Sequence, residues 1–190
     1  MTDRSVSRQA LLAELARTFR RHGYEGASLA MLAKASGLGK ASLYHHFPGG
    51  KQAMAEAVLD EVAARFERHL FAVLRGDGPP RQRLADMAEL LAAYHHDGTE
   101  PGLFALLAQG PSRARFAARI AAFYGRWIAS LGAALADGGL AAEDSVRRAA
   151  DMVMAIEGAL VLSRALADPG PFRRALRHLV DSLAEPVAAE

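Results

Sequence analysis

The chain has 190 residues and not one cysteine. That excludes disulfides, thiolate metal sites and a thiol nucleophile, and it fits a cytoplasmic protein. Aromatic residues are scarce at 7%, with a single tryptophan. Set beside abundant alanine and leucine, this scarcity favours helix over strand. No apolar run reaches the roughly 18 residues that a membrane span needs. Arg4 and Arg8 are followed by no apolar segment of the secretion-signal type. A Gly-x-Ser-x-Gly elbow is missing. Gly39-Lys40 superficially suggests a phosphate loop, but Lys34 stands where its first glycine belongs and Ala41 where its hydroxyl residue belongs. No acid–base pair stands out either, so the sequence predicts neither an enzyme nor a cofactor.

What is present begins with apolar material: 51% of residues are hydrophobic, enough for a core and too much for a disordered chain. The net charge of +2 conceals an asymmetry. Residues 1–51 hold eight basic residues (Arg4, Arg8, Arg17, Arg20, Arg21, Lys34, Lys40, Lys51) against Asp3, Glu14 and Glu25, a net of +5. The remainder nets −3, with 15 basic and 18 acidic residues, and contains no lysine. A basic N-terminal part points to an anionic partner there.

Periodicity and punctuation predict an all-α chain of about nine helices. The first runs from about Ser7 to His22 with Leu12, Leu15 and Phe19 inward, and Gly23 is expected to end it as a left-handed cap. A short helix follows from Ser28, a good N-cap, to about Ser36. Gly37-Leu38-Gly39 makes a turn into Lys40–Phe47, where Leu43 and Phe47 share one face. Pro48-Gly49-Gly50 precedes a long helix from near Lys51 to about Arg75. Further helices are expected over about Arg81–His96, Leu103–Gln109, Gly110–Ala136 and Ala142–Ala167, and again after Pro171. The helix at 142–167 has two apolar stripes, one of Val146, Ala149, Val153, Ile156 and Leu160 and one of Met152, Ala155, Ala159 and Leu162. A helix apolar on two sides is expected to be buried on both, either wrapped by its own chain or, the favoured reading, in a two-fold dimer built from this helix and the last one.

Two short helices around Gly37-Leu38-Gly39 have the shape of a helix-turn-helix. Such a unit lays its second helix in the major groove. Lys40, Ala41, Ser42, Tyr44, His45 and His46 are left to project from Lys40–Phe47. Lysine can reach a guanine edge or a phosphate, serine can donate or accept, alanine can pack on a thymine methyl, and tyrosine can donate to a phosphate. The helix N-termini at Ser28 and at Gly50-Lys51 add positive dipole ends that favour phosphate. His45 and His46 do not predict a metal site, because adjacent helical residues point about 100° apart. The run from Gly23 to Leu29, Ser36 to Phe47 with its "SLYHHF" phrase, and then Lys51 resembles the DNA-binding domain of the TetR family over about residues 5–65.

That resemblance implies a three-helix DNA-binding domain over residues 5–65, with 28–47 as reading unit, and a C-terminal ligand-binding and dimerisation domain over 66–190. It implies a homodimer that binds palindromic operator DNA, acts as a repressor and is released by a small molecule. By the family pattern Ser28 and Lys51 touch phosphate. This chain departs from the commoner form by one additional residue before Lys51, and it carries Ala30 where some members carry a base-reading side chain. For the effector, Tyr94, His95, Phe104, Phe123 and Trp127 are candidate pocket residues, although the same rings would serve as ordinary core packing. A helical ligand-binding module that has lost DNA binding is the rival reading; it would not need a +5 head.

Overall fold

The computed structural model describes residues 7–183. Asp3 and Arg4, counted in the charge of the head, and the outer ends of the two expected domains, at 5 and 190, lie outside the described residues. Among the described residues the elements are helices: α1 (Arg8–Gly26), α2 (Leu29–Ser36), α3 (Lys40–His46), α4 (Gly50–Phe66), α5 (Pro80–Tyr94), α6 (Leu103–Gln109), α7 (Arg113–Asp137), α8 (Ala142–Leu166) and α9 (Gly170–Asp181). After Phe66, α4 runs on through a π turn (Glu67–Phe71) into Ala72–Leu74. None of these helices is long and apolar enough to cross a membrane.

The chain forms two compact units. The first comprises residues up to Ala64 together with Leu103–Ile120; the second comprises Arg65–Gly102 and the residues from Ala121 onward. Residues 103–120 thus join the first unit, although the sequence suggested a single change of domain near residue 65.

In the first unit, Leu11, Leu12, Leu15 and Phe19 of α1 are buried together with Leu32, Leu43, Phe47, Met54, Val58 and Leu59. Ser7 caps α1 by accepting from the Ala10 N–H at 3.2 Å. Gly23 does interrupt the helix, but at φ 66, ψ 177. Its ψ is extended rather than left-handed helical, so the chain kinks there and turns on to Gly26 instead of stopping in a left-handed cap. Glu25 accepts from both the backbone N–H and the hydroxyl of Ser112. The Ser112 hydroxyl is the main reason the Glu25 carboxyl sits below the usual range. Arg119 reaches Asp60 (2.9 Å) and Glu56 (3.6 Å), and this joins the start of α7 to α4.

The second unit has a core of Phe66, Phe71, Leu84, Leu91, Phe123, Trp127, Leu131, Ile156, Leu160 and Phe172. Arg83 is buried there; its guanidinium donates to the Leu74 carbonyl (2.7 Å) and to Asp137 (3.0 Å). α8 is buried on one side only. Ala149, Val153, Ile156, Ala159 and Leu160 are covered, while Val146, Met154, Val161, Leu162 and Leu166 are each more than half exposed. Within the described residues of the single chain, then, α8 is covered on one side, and Val146 and Leu162 have no cover there.

Candidate functional site

The helix-turn-helix forms from local chemistry. Ser28 Oγ accepts from the Met31 N–H at 3.2 Å and starts α2. Gly37 ends it at φ 69, ψ 8, a left-handed conformation that a side chain would strain. Ser36 stabilises the turn by donating to the Ala33 carbonyl (3.1 Å) and accepting from the Leu38 N–H (3.4 Å). α3 then buries Leu43, and Phe47 is buried just past its end. Lys40, Ala41, Ser42, Tyr44, His45 and His46 are all exposed.

Tyr44 has a second position-setting contact. Gly50 opens α4 at φ 63, and a Cβ there would meet the Tyr44 ring edge at 3.4 Å. The ring therefore lies across the start of α4, where the first N–H groups of a helix are unpaired. The rings of His45 and His46 are 6.1 Å apart at 71° to one another. Among the described residues no group of three potential ligands could hold a metal ion. Ser28 is exposed, and since its oxygen accepts from Met31 its hydroxyl proton remains available to donate.

Lys51 is placed differently from the residues of α3. Its ammonium donates to the carbonyls of Tyr24 (2.9 Å) and Glu25 (3.4 Å), and it lies 4.5 Å from the centre of the Tyr24 ring. Those carbonyls belong to the last turn of α1, where carbonyls lack helical partners and a cation is favoured. Arg8 lies over the Phe47 ring at 5.7 Å, a contact the sequence did not suggest.

Of the five candidate effector residues, Tyr94, His95, Phe123 and Trp127 belong to the second unit and Phe104 to the first. The four are close-packed with two more rings. Phe66 meets Tyr94 at 4.8 Å, Phe123 at 5.0 Å and Trp127 at 6.0 Å. Tyr124 stacks on Trp127 at 6.3 Å and 14°. His95 is buried, with Nδ1 2.9 Å from the Glu100 carbonyl. A carbonyl only accepts, so the proton resides on Nδ1. Phe104 is buried on α6.

Sequence reasoning missed the partner of this cluster, Glu157. Tyr124 donates to its Oε1 at 2.8 Å. Burial is the main cause that pushes the Glu157 carboxyl up, and burial likewise pushes the Tyr124 hydroxyl well up. A signal was available in the sequence: Glu157 is the one charged residue between Met152 and Ser163 in an otherwise apolar and small-residue stretch of α8.

Residues 11–58 match the family described as bacterial regulatory proteins, tetR family. Residues 81–178, half of the chain, match the C-terminal domain of LmrA/YxaF-like transcriptional regulators. The HTH-type transcriptional regulator LmrA of Bacillus subtilis is 43% identical over 56 residues, which are 30% of this chain and 30% of that protein. The transcriptional repressor AcnR of Corynebacterium glutamicum is 40% identical over 75 residues, 37% of this chain and 39% of the relative. The match thus spans only about a third of these curated relatives. Among solved structures, a TetR transcriptional regulator from Legionella pneumophila superposes with TM-score 0.82 at 20% identity, over 95% of this chain and 98% of that one. A cysteine mutant of the TetR family regulator CifR, complexed with 26-bp double-strand operator DNA, superposes with TM-score 0.77 at 25% identity, over 95% and 99%. With both family patterns matched in order along one all-helical chain, the protein belongs to the TetR family of bacterial regulatory proteins, in its LmrA/YxaF-like branch.

Proposed function

We propose that the chain is a homodimeric, sequence-specific DNA-binding repressor, released from a palindromic operator by a small molecule. The observation that carries this is the strip on α3. Six residues suited to DNA, Lys40, Ala41, Ser42, Tyr44, His45 and His46, are exposed, while Leu43 between them and Phe47 after them are buried. They stand in a segment of net charge +5. Lys40 and Ser42 read base edges, Ala41 packs on a thymine methyl, and Tyr44 with Ser28 and the start of α4 fixes the phosphates. His45 and His46 lie at the end of α3 toward the backbone. The operator complex of CifR and the repressor AcnR support the reading by likeness.

The exposed face of α8 supports the second copy. Val146, Met154, Val161, Leu162 and Leu166 are large, apolar and more than half exposed on one helix. A second copy of the same face covers them, and paired heads then read two half-sites related by a two-fold axis. The effector belongs with the rings of the second unit. A protein of this kind works in the compartment that holds the DNA, the cytoplasm of a bacterium.

The test is selection of duplexes from a random pool, followed by fluorescence anisotropy across a salt series. A single enriched palindromic family bound with a steep negative salt slope is expected. No enriched sequence, with weak binding to every duplex, overturns the reading.

A further inference from the structure

Within the second unit, Glu157 is a largely buried carboxylate with one hydrogen-bond donor, the Tyr124 hydroxyl at 2.8 Å to Oε1. Among the described residues no lysine or arginine pairs with it. Three cations of this unit are engaged elsewhere: Arg126 and Arg75 reach Glu67 at 3.9 Å and 2.6 Å, and Arg65 lies over the Tyr94 ring at 5.9 Å. Charges withdrawn from water are ordinarily paired or neutralised, and the half-buried Glu157 has no cation partner among the described residues. A second observation is independent of it. Trp127 is 1% exposed, yet its indole N–H finds no acceptor. Tyr124 joins the two, since it bonds Glu157 and stacks on Trp127. Gly102 packs beside the carboxylate: a Cβ there would be in ordinary contact with its two oxygens, at 3.6 and 3.7 Å, and with His95 Cε1 at 3.7 Å.

We propose that the effector is an organic cation, an arylalkyl ammonium or quaternary ammonium that also carries a hydrogen-bond acceptor, held by Glu157 among the rings of Tyr94, Phe123, Tyr124 and Trp127. The proposal rests on the reading of the chain as an effector-released regulator. The chemistry of the surroundings selects the charge. Ring faces are electron-rich and attract a cation within about 6 Å while they disfavour an anion. The carboxylate supplies the counter-charge, and burial strengthens the pair because water is excluded. The Trp127 N–H takes the acceptor. A neutral ligand would leave Glu157 as it is, and an anion would face both the carboxylate and the ring faces.

The protein has one tryptophan, so its emission reports Trp127 alone. Full-length protein is titrated with benzyltrimethylammonium, its neutral isostere neopentylbenzene, and the anion phenylacetate, with emission recorded. The ammonium is expected to give a saturable change at lower concentration than either control. Glu157→Gln, which keeps a partner for Tyr124 but removes the charge, is expected to weaken the ammonium by roughly tenfold while leaving neopentylbenzene where it was. Circular dichroism checks that the variant folds. The proposal is overturned if phenylacetate or the neutral isostere binds as well as the ammonium to the unaltered protein, if the Gln variant binds the ammonium unchanged, or if millimolar ammonium gives no saturable response. Operator binding is measured apart from this. Specific duplex binding without an ammonium response overturns the cation alone. Absence of any specific duplex binding overturns the regulator reading and leaves the titration to decide the pocket.

Discussion

Lys51 offers a clean contest between two physical roles, since family likeness puts it on a phosphate and the structure puts it on α1. Replacing it by methionine keeps most of the stem and removes the ammonium. Two donations to carbonyls are then lost, at 2.9 and 3.4 Å, together with the contact over the Tyr24 ring at 4.5 Å. A hydrogen bond from a charged donor contributes about 1.5–3 kcal/mol net, and a half-exposed cation over a ring about 0.5–1 kcal/mol. The longer donation is weak and water partly reaches the site, so the loss is about 2 kcal/mol. In a protein of this length each kcal/mol moves Tm by about 2–4 °C, giving a drop of about 4–8 °C. A phosphate ligand behaves otherwise: its removal lowers the salt slope of operator binding by about 0.9 per contact and leaves Tm alone. Thermal melting by circular dichroism and anisotropy over a salt series, both at fixed protein concentration, read the two effects on one preparation. A lower Tm with an unchanged slope is expected. An unchanged Tm with a slope reduced by about one would refute the assignment of Lys51 as the tie between α1 and α4.

The reading strip gives the next expectations. Lys40→Ala and Ser42→Ala each change base preference at one half-site position, at about 1–3 kcal/mol for a direct contact. Tyr44→Phe weakens all sequences alike; competition anisotropy against single-substituted duplexes separates the two patterns, and unchanged affinity in all three variants removes α3 from the interface. The Glu157 carboxyl is raised in the folded protein, so the native state holds its proton to higher pH than the unfolded chain does. Stability from this group is therefore greatest below the ordinary carboxyl value of 4.5 and is lost as pH rises through the folded value. Glu157→Gln is expected to melt higher than the parent at neutral pH and to show a flatter Tm profile above pH 4.5, with parallel profiles as the contrary result. If α8 carries the proposed dimer contact, the parent sediments as a dimer at micromolar concentration and Met154→Asp, in the middle of the exposed face of α8, as a monomer; an equal mass for the two removes α8 from the contact.

The parts of the head that depend on neighbours in sequence were legible without coordinates. Ser28 caps α2, Gly37 adopts the left-handed turn, and Leu43 with Phe47 turns inward, each because the residue type dictates its own local conformation or face. Gly23 shows the limit of such reasoning. A glycine was rightly expected at a break, but ψ of 177 depends on how the chain continues into α2, which no local rule supplies. The π turn at Glu67–Phe71 was hidden for a similar reason, since it adds one residue to a turn without altering the apolar spacing enough to mark it. Lys51 is the sharpest case. Its spacing after the "SLYHHF" phrase fits a phosphate contact, whereas its ammonium meets carbonyls 26 and 27 residues earlier in the chain. Contacts at such separation are set by packing rather than by pattern.

The second unit shows why an effector site is harder to read than a DNA-reading helix, and what distinguishes it once the coordinates are known. Two charged side chains penetrate this unit. Arg83 ties α5 to structure: Nη1 and Nη2 meet the Leu74 carbonyl and Asp137, and only Nε lacks an acceptor. Its removal would strand a carbonyl and open a cavity, so its role is explained by the fold. Glu157 has one donor and no counter-charge, beside an indole N–H without an acceptor. Burying polar groups costs free energy unless they are paired. A carboxylate without a counter-charge and an indole N–H without an acceptor, in one aromatic cluster, do not help the fold, and one molecule with a cationic centre and an acceptor would answer both. The argument from composition could not reach this, because Glu157 and Trp127 are thirty residues apart and neither is unusual alone. It is their joint incompleteness, visible only when α7 and α8 are placed together, that makes this part of the core the proposed effector site.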